Sequence, residues 1–590
     1  MKLLSANAYW VMQFAWKACP VILLIVLSSE LIVSVVPAGL AWCGRSLINV
    51  ISEETIKGSG DFQRVLPWLL ISLGLALLNE VFSNISNYFN RRLNEELTLK
   101  IDVDSLEHSS KLDIAHFENP EFQDIALRAS QNIAMHVTGF LNKVIQISSN
   151  FMKTIGLIAI LFIIDPLIVI TVVPLLIPYF GFKWYQSKLR FNKEYTRATK
   201  RRWTKYFYSL LTNRDKILEV KLLNLAPSLI DKYNRLKVEF FKENQQIYTR
   251  EFIGNFVFSA IFAILFYLLF ARVSTHVMEG TLTIGDIAIF AGSTRQLFAI
   301  LTVMSAQASG IMEGLMYVEN LIIFLKTKPT IKNETQTFMT ECNGDIEFQN
   351  VFFKYPGSDK KILHDISFKI KSKETIAIIG KNGAGKSTLV KLIARLYDPD
   401  EGSIFLDKVN LKDLSLQKLQ KSISFVFQVP NRYEGSVKEN ISCGNSMKQL
   451  NLSEVKKIAK ISGAHQMIQK MPEKYSTNLG RQFGEYDLSG GQWQNIAVAR
   501  AATRQDASIL ILDEPAAGLD AQSKAELILN FRNLSNNRTT ILISHRFSTL
   551  ELADRIIVLD KGQIIAFGTH KQLLVNNKFY KLMYDQSKIK

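Results

Sequence analysis

Thr375-Ile376-Ala377-Ile378-Ile379-Gly380-Lys381-Asn382-Gly383-Ala384-Gly385-Lys386-Ser387 decides how the second half of this chain folds. A strand of buried character runs directly into a G-x-x-x-x-G-K-S loop, and Ser387-Thr388-Leu389 opens a helix. Strand, glycine-rich loop and helix in that order make a phosphate-binding loop. Gly380, Asn382, Gly383 and Gly385 shape a backbone whose N–H groups wrap phosphate oxygens. Lys386 brings a positive charge to the β- and γ-phosphates, and the Ser387 hydroxyl suits Mg²⁺. The helix beginning at Ser387 and Thr388 adds its dipole. The expected ligands are therefore ATP and Mg²⁺.

Downstream, Ile509-Leu510-Ile511-Leu512-Asp513-Glu514 reads as a central strand ending in two carboxylates. Asp513 is placed to hold Mg²⁺ through water, and Glu514 to polarise the attacking water as the catalytic base. Upstream, Ile346-Glu347-Phe348, Val351-Phe352-Phe353 and Ile366-Ser367-Phe368-Lys369-Ile370 alternate as short strands. The span from about residue 345 to 590 thus reads as a soluble α/β unit.

The first 325 residues read differently. Mean hydropathy is only +0.09 over the chain, but long apolar runs alternate here with charged stretches. Six spans near the ~20 residues that a bilayer core requires lie at 21–43, 65–87, 142–164, 167–187, 252–272 and 284–308. The third and fourth are divided only by Asp165-Pro166, a tight turn. The first run is too long for a signal-peptide core, contains Glu30 and is followed by Trp42-Cys43, so it reads as a retained helix. The fold class expected is an all-α six-helix transmembrane domain over 1–325, a linker over 326–344 and an α/β phosphate-loop domain over 345–590.

Charge sets the orientation. The net charge is +17, and its richest stretch, Lys183 to Arg250 with Lys200, Arg201 and Arg202, lies between two spans and carries no nucleic-acid module. The N-terminus and the 88–141 and 188–251 loops are basic, whereas 44–64, 165–166 and 273–283 are poor in basic residues. Basic loops stay in the cytoplasm, so both termini and the α/β domain are expected there. No nucleic-acid partner is expected; membrane lipid is. The two basic loops read as helical extensions of the spans, with Leu211, Leu218, Leu222 and Leu225 as an apolar stripe. Glu30 and Glu80 within spans admit two readings, an acidic lining of a substrate cavity or charges satisfied by neighbouring lysines or an interface. Cys19, Cys43, Cys342 and Cys443 have neither metal nor redox spacing.

Between the two nucleotide motifs lies Leu488-Ser489-Gly490-Gly491-Gln492, opening a helix from Trp493. With the other two motifs at this spacing, it resembles the signature sequence of ATP-binding cassette proteins. That resemblance implies that Ser489, Gly490, Gly491 and Gln492 engage the γ-phosphate held by the phosphate loop of a second copy, so that two chains sandwich two ATP molecules. It assigns Tyr355 in Lys354-Tyr355-Pro356 to adenine stacking and Gln428 in Phe425-Val426-Phe427-Gln428 to Mg²⁺ sensing and contact with the membrane domain. It assigns Asp520 in Gly518-Leu519-Asp520 to the subunit interface and His545 in Ser544-His545-Arg546 to the γ-phosphate switch. Gly518 and Val429 depart from the family pattern without touching phosphate chemistry; they leave details of subunit coupling open. With no catalytic position degenerate, both sites of a homodimer are expected to hydrolyse ATP.

Six spans ahead of one cassette resemble an exporter half-transporter, which implies coupling helices near Phe117-Glu118-Asn119-Pro120-Glu121-Phe122 and Leu222-Leu223-Asn224, the second reaching the partner's cassette. His116 to Phe122, Phe427 to Glu434 and the Trp493-Gln494 continuation look like bacterial exporters of lanthipeptides and related modified peptides. About twenty residues precede the first span, so no N-terminal protease domain and no leader cleavage are expected. Export of a modified peptide across a bacterial plasma membrane is the leading expectation. A lipid or multidrug exporter, and a membrane ATPase that regulates a partner, are the alternatives.

Overall fold

The computed structural model describes residues 2–58, 61–119, 122–123, 125–126, 133–331, 342–445, 448–480, 486–515, 531–544, 550 and 552–588. They form two compact units, 1–110 with 124–327, and 111–123 with 328–590.

The first unit is all-helical: α1 (Lys2–Ala18), α2 (Pro20–Lys57), α3 (Phe62–Lys111), α5 (Ile133–Ile164), α6 (Pro166–Thr196), α7 (Ala198–Thr212), α8 (Arg214–Leu222), α9 (Ala226–Met278) and α10 (Ile284–Lys326); α4 (Ile114–Glu118) belongs to the second. Among the described residues six helices, α2, α3, α5, α6, α9 and α10, are long and apolar enough to cross a membrane. The 50 residues of α3 and 53 of α9 far exceed the ~20 that a bilayer core requires. Their surplus is the helical extension read from the basic loops.

Two expectations are corrected. The presumed 44–64 loop is mostly helix, because α2 continues to Lys57 before Gly58 closes it in the left-handed conformation (φ 65°). Arg45 and Asn49 on that stretch latch onto the start of α10. The Arg45 Nε lies 2.5 Å from Asp286, and the Asn49 side-chain oxygen accepts from the Gly285 N–H at 2.8 Å. The leucine stripe is not one helical face either. The helix breaks at Asn213, between α7 and α8, and Leu218, Leu222 and Leu225 are exposed. Phe207, Val220 and Leu229 form the local core instead.

The Asp165 carboxylate caps the tight turn, accepting from the Leu167 N–H at 2.9 Å and pairing with Arg272 of α9 at 2.7 Å. Glu30 accepts from the Ser86 hydroxyl of α3 at 2.8 Å, and Glu80 from Asn84 at 3.2 Å. Among the described residues neither carboxylate pairs with a lysine.

The second unit is α/β. A six-stranded sheet runs in the order β12 (Gln563–Gly568), β11 (Arg555–Asp560), β3 (Thr375–Gly380), β10 (Thr539–Ile543), β9 (Ile509–Asp513), β6 (Ile423–Val426), parallel except for β12. Strands β3, β9 and β10 are buried almost throughout, which is why they read as continuous apolar runs. A second, antiparallel sheet, in the order β2 (Lys361–Ile370), β1 (Ile346–Lys354), β4 (Glu401–Leu406), β5 (Val409–Asn410), shares a core with the first.

Helices α13 (Val437–Ser442), α14 (Leu452–Ile461) and α16 (Gly490–Ala502) make a separate apolar cluster around Trp493. Trp493 is 1% exposed, so the Trp493-Gln494 continuation is a packing feature of this helical lobe. Trp493→Ala is expected to cost about 3–5 kcal/mol, the range for truncating a buried aromatic. A lowered unfolding midpoint by calorimetry checks this, and an unchanged midpoint contradicts it.

Candidate functional site

The phosphate loop joins β3 to α11 (Lys386–Ile393) at the carboxyl edge of the parallel sheet, beside the ends of β9 and β10. Close approach enforces two of its glycines. A Cβ on Gly380 would lie 2.1 Å from the Leu559 carbonyl oxygen, and one on Gly385 (φ 102°) 2.6 Å from Leu363. Lys386, N-terminal on α11, folds back over the loop and donates to the carbonyls of Gly380 at 2.8 Å and Lys381 at 3.0 Å. Burial pulls its ammonium below the usual range, opposed by the Glu514 and Asp513 charges.

Asp513 ends β9 directly across from this loop and is 7% exposed. Burial pushes its carboxyl above the usual range. The Ser387 hydroxyl works against that rise, the Glu514 charge adds to it, and Lys386 lowers it again. One of its oxygens, Oδ1, is buried without a hydrogen-bond partner. A buried, unsatisfied carboxylate oxygen beside a serine hydroxyl fits a hard cation such as Mg²⁺ or one of its waters.

A raised folded-state pKa means that the ligand-free fold holds the proton more tightly than the unfolded chain. The stability so gained is present below the unfolded pKa and lost as pH rises through the folded one, so at neutral pH ionised Asp513 is a net cost. Asp513→Asn is therefore expected to raise the unfolding midpoint of the nucleotide-free protein at pH 7 while abolishing the extra stabilisation by Mg²⁺ with ATP. A lowered nucleotide-free midpoint contradicts this.

Glu514 follows in a left-handed backbone conformation (φ 45°), unusual for a non-glycine residue, and its N–H donates to the Ile543 carbonyl at 3.0 Å. Strain of this kind persists where the surroundings enforce it, typically at functional sites. Its Oε2 accepts from the Gln428 side-chain amide at 3.0 Å. The structure thus brings Lys386, Ser387, Asp513, Glu514 and Gln428 together, although 40 residues lie between Ser387 and Gln428 in the chain.

Tyr355, at the end of β1, donates or accepts at 3.0 Å with the Thr388 hydroxyl of α11. Its ring meets Tyr397 edge-on at 5.4 Å, and the Lys391 ammonium lies 5.1 Å from its centre. Lys391 was not singled out from the sequence. It also lies 3.7 Å from Glu118 on α4, so α4 touches the phosphate-loop helix through an ion pair. Its place one helical turn after Ser387 is the signal that marks it. Asp113 anchors the same segment, accepting from the Thr330 hydroxyl at 2.7 Å and the Ile331 N–H at 3.0 Å.

Ser489 caps α16. Its Oγ accepts from the Gln492 N–H at 3.3 Å while the Gln492 side chain accepts from the Ser489 N–H at 2.9 Å. Ser489 and Gly490 are exposed, and Gly491 and Gln492 are half-buried. The buried Gln494 reaches from this helix to the Phe427 carbonyl at 3.5 Å, next to Gln428. Gly518, Asp520, His545, Pro120 and Glu121 lie outside the described residues.

The family model described as ABC transporter matches residues 363–517, and that described as ABC transporter transmembrane region matches 22–301. The subtilin transport ATP-binding protein of Bacillus subtilis is 30% identical over 557 residues, covering 94% of this chain and 90% of the relative. The nisin transport ATP-binding protein of Lactococcus lactis is 29% identical over 571 residues, covering 95% and 93%. An ATP-dependent lipid A-core flippase of Escherichia coli is 28% identical over 560 residues, covering 92% and 94%. Among solved structures, a bacterial Atm1-family ABC exporter with ATP bound superimposes with a TM-score of 0.82 at 22% identity, covering 96% of this chain and 99% of the other.

Proposed function

This chain belongs to the ABC transporter family, and on that premise we propose that two copies of it form an exporter that uses ATP to move a modified peptide out of a bacterial cytoplasm. The observation that carries the ATP-driven part is the convergence of Lys386, Ser387, Asp513, Glu514 and Gln428 at one sheet edge. The likeness to the subtilin and nisin transport proteins over nearly the whole chain supports the peptide.

In this reading Lys386 leaves its loop carbonyls for the β- and γ-phosphates, Gly380 to Gly385 supply backbone N–H groups, and Thr388 helps to fix the phosphates. Ser387, Asp513 and Gln428 would hold Mg²⁺, which would supply positive charge to offset that of the phosphates. Glu514 takes a proton from the attacking water, and His545 orders the γ-phosphate. Tyr355 turns its ring to the adenine. The exposed Ser489 and Gly490, with Gly491 and Gln492, close the site of the second copy, and Asp520 lies at their interface. The exposed Leu222 and Leu223 suit an apolar contact with the partner's cassette. Both termini and the cassette lie in the cytoplasm in this reading, which the basic loops support.

Shared sites have a direct test. At ATP concentrations that the intact site saturates but a Lys386→Ala site does not, chains with Lys386→Ala and with Ser489→Arg should each hydrolyse little ATP as homodimers, yet their mixed dimer keeps one intact site. Mixing the two should restore part of the ATP turnover; two self-contained sites would restore none. For the cargo, deletion of the gene should leave a modified peptide in the cells and remove it from the medium, read by mass spectrometry. A second reading, export of a lipid, is favoured by the lipid A-core flippase likeness; accumulation of a lipid in the deletion strain would select it.

A further inference from the structure

Within the first unit, α6, α9 and α10 line an open-mouthed pocket of about 620 Å³, in the size range of sites for drug-sized ligands. Its walls are mainly aromatic: Tyr179 of α6, Phe258, Phe262 and Phe266 of α9, and Phe298 of α10. The rings brace one another, with Phe262 4.6 Å from Phe298 and Tyr179 5.9 Å from Phe262. One cation, Arg295 of α10, faces this cavity.

Arg295 lies eleven residues beyond the first residue of α10, Ile284, a rise of roughly 16 Å along a helix and so near the middle of a ~30 Å bilayer core. A charge at that depth is expensive unless something answers it. Other arginines next to the spans are answered: Arg45 by Asp286, Arg64 by Glu54, Arg190 by Glu251 and Arg272 by Asp165. Among the described residues Arg295 has no ion pair or hydrogen bond, and the cavity lining contains no carboxylate. The acids that stand out in the sequence are engaged elsewhere, Glu30 by Ser86 and Glu80 by Asn84.

We infer that this cavity binds the exported peptide through a carboxylate held by Arg295, with the adjoining apolar or aromatic side chains of the peptide against the Phe and Tyr walls. The inference rests on the exporter reading above and specifies its cargo. A guanidinium fork matches a carboxylate in two parallel, charge-assisted hydrogen bonds, which are stronger than neutral ones. Gly292, one turn before Arg295 on the same face, has nothing within 4 Å of where a Cβ would stand. It leaves bare backbone in the cavity wall, where a flat peptide unit can approach closely. The Ser259 and Tyr267 hydroxyls in the lining offer hydrogen bonds that peptide amides use and acyl chains cannot.

The test uses the full-length dimer in nanodiscs of neutral phosphatidylcholine. The probe is a fluorescent N-acylated peptide of leucine and phenylalanine, made once with a free C-terminal carboxylate and once as the amide. Anisotropy should show the acid binding at least about tenfold tighter than the amide, as expected for one charge-assisted pair. Arg295→Gln should abolish the preference while leaving the amide's affinity unchanged, Arg295→Lys should keep part of it, and Gly292→Leu should weaken both forms by filling the cavity. Equal binding of acid and amide, or a preference that survives Arg295→Gln, overturns the assignment. So does Arg295-dependent binding of phosphatidic acid in place of the peptide, which would make the ligand a lipid. If Arg295 instead met a carboxylate of the second copy, Arg295→Gln would lower the affinity for acid and amide alike, which also overturns it. ATP turnover of the unsubstituted protein is read alongside. Its absence would remove the exporter reading itself, whereas turnover without an acid preference removes only the cavity assignment.

Discussion

Glu514→Gln is expected to leave ATP bound and to slow its hydrolysis by about 10²–10⁴-fold, the usual contribution of a positioned general base. The substitution preserves shape. A glutamine oxygen can still accept from Gln428, as Glu514 does at 3.0 Å, and the backbone bond to Ile543 is untouched. What is lost is the ability to take a proton. The left-handed backbone at Glu514 supports this assignment, because a position that costs conformational energy is held there by its surroundings for the sake of its side chain. Equilibrium binding of a fluorescent ATP analogue and steady-state phosphate release separate the two effects. Hydrolysis persisting at the unsubstituted rate would remove Glu514 as the base.

Lys386→Ala has the second-largest expected effect, and it falls on binding. The ammonium is already desolvated and aimed by the Gly380 and Lys381 carbonyls, so little ordering remains when phosphates arrive. Hydrogen bonds to charged groups contribute about 1.5–3 kcal/mol, so affinity for ATP should fall on the order of 10–100-fold. The fold should survive at a small cost, because of the two carbonyls released that of Lys381 is exposed to water and only that of Gly380 is buried. Calorimetric titration with Mg²⁺ and ATP checks this, and unchanged affinity contradicts it.

How much of this was legible in the sequence depended on how locally each feature is encoded. The phosphate loop is encoded by thirteen consecutive residues, and strand β9 with its two carboxylates by six, so both are visible without any tertiary information. The same holds for the six apolar runs and the Asp165-Pro166 turn. Helix α2 is longer than its sequence suggests, because the polar residues beyond Gly44 resemble a loop. They are helical because Arg45 and Asn49 find partners on α10, a contact with no sequence signature. The leucine stripe failed for the complementary reason. Periodicity assumes an unbroken helix, and Asn213 interrupts it. The Glu118–Lys391 contact joins residues far apart in the chain and could be found only in three dimensions. Trp493 shows a further limit, since a motif can mark a family through its core packing without touching any ligand.

The central claim is that ATP hydrolysis at the Lys386–Glu514 site drives a peptide across the membrane. It is tested most directly with the purified chain in sealed vesicles, cassettes outward, supplied with Mg²⁺, ATP and the peptide fraction retained by a deletion strain. The account predicts that peptide accumulates inside, and that accumulation stops with Glu514→Gln. Undiminished ATP hydrolysis with no movement of peptide would contradict it, and would mark the chain as an ATPase that acts on something other than this cargo.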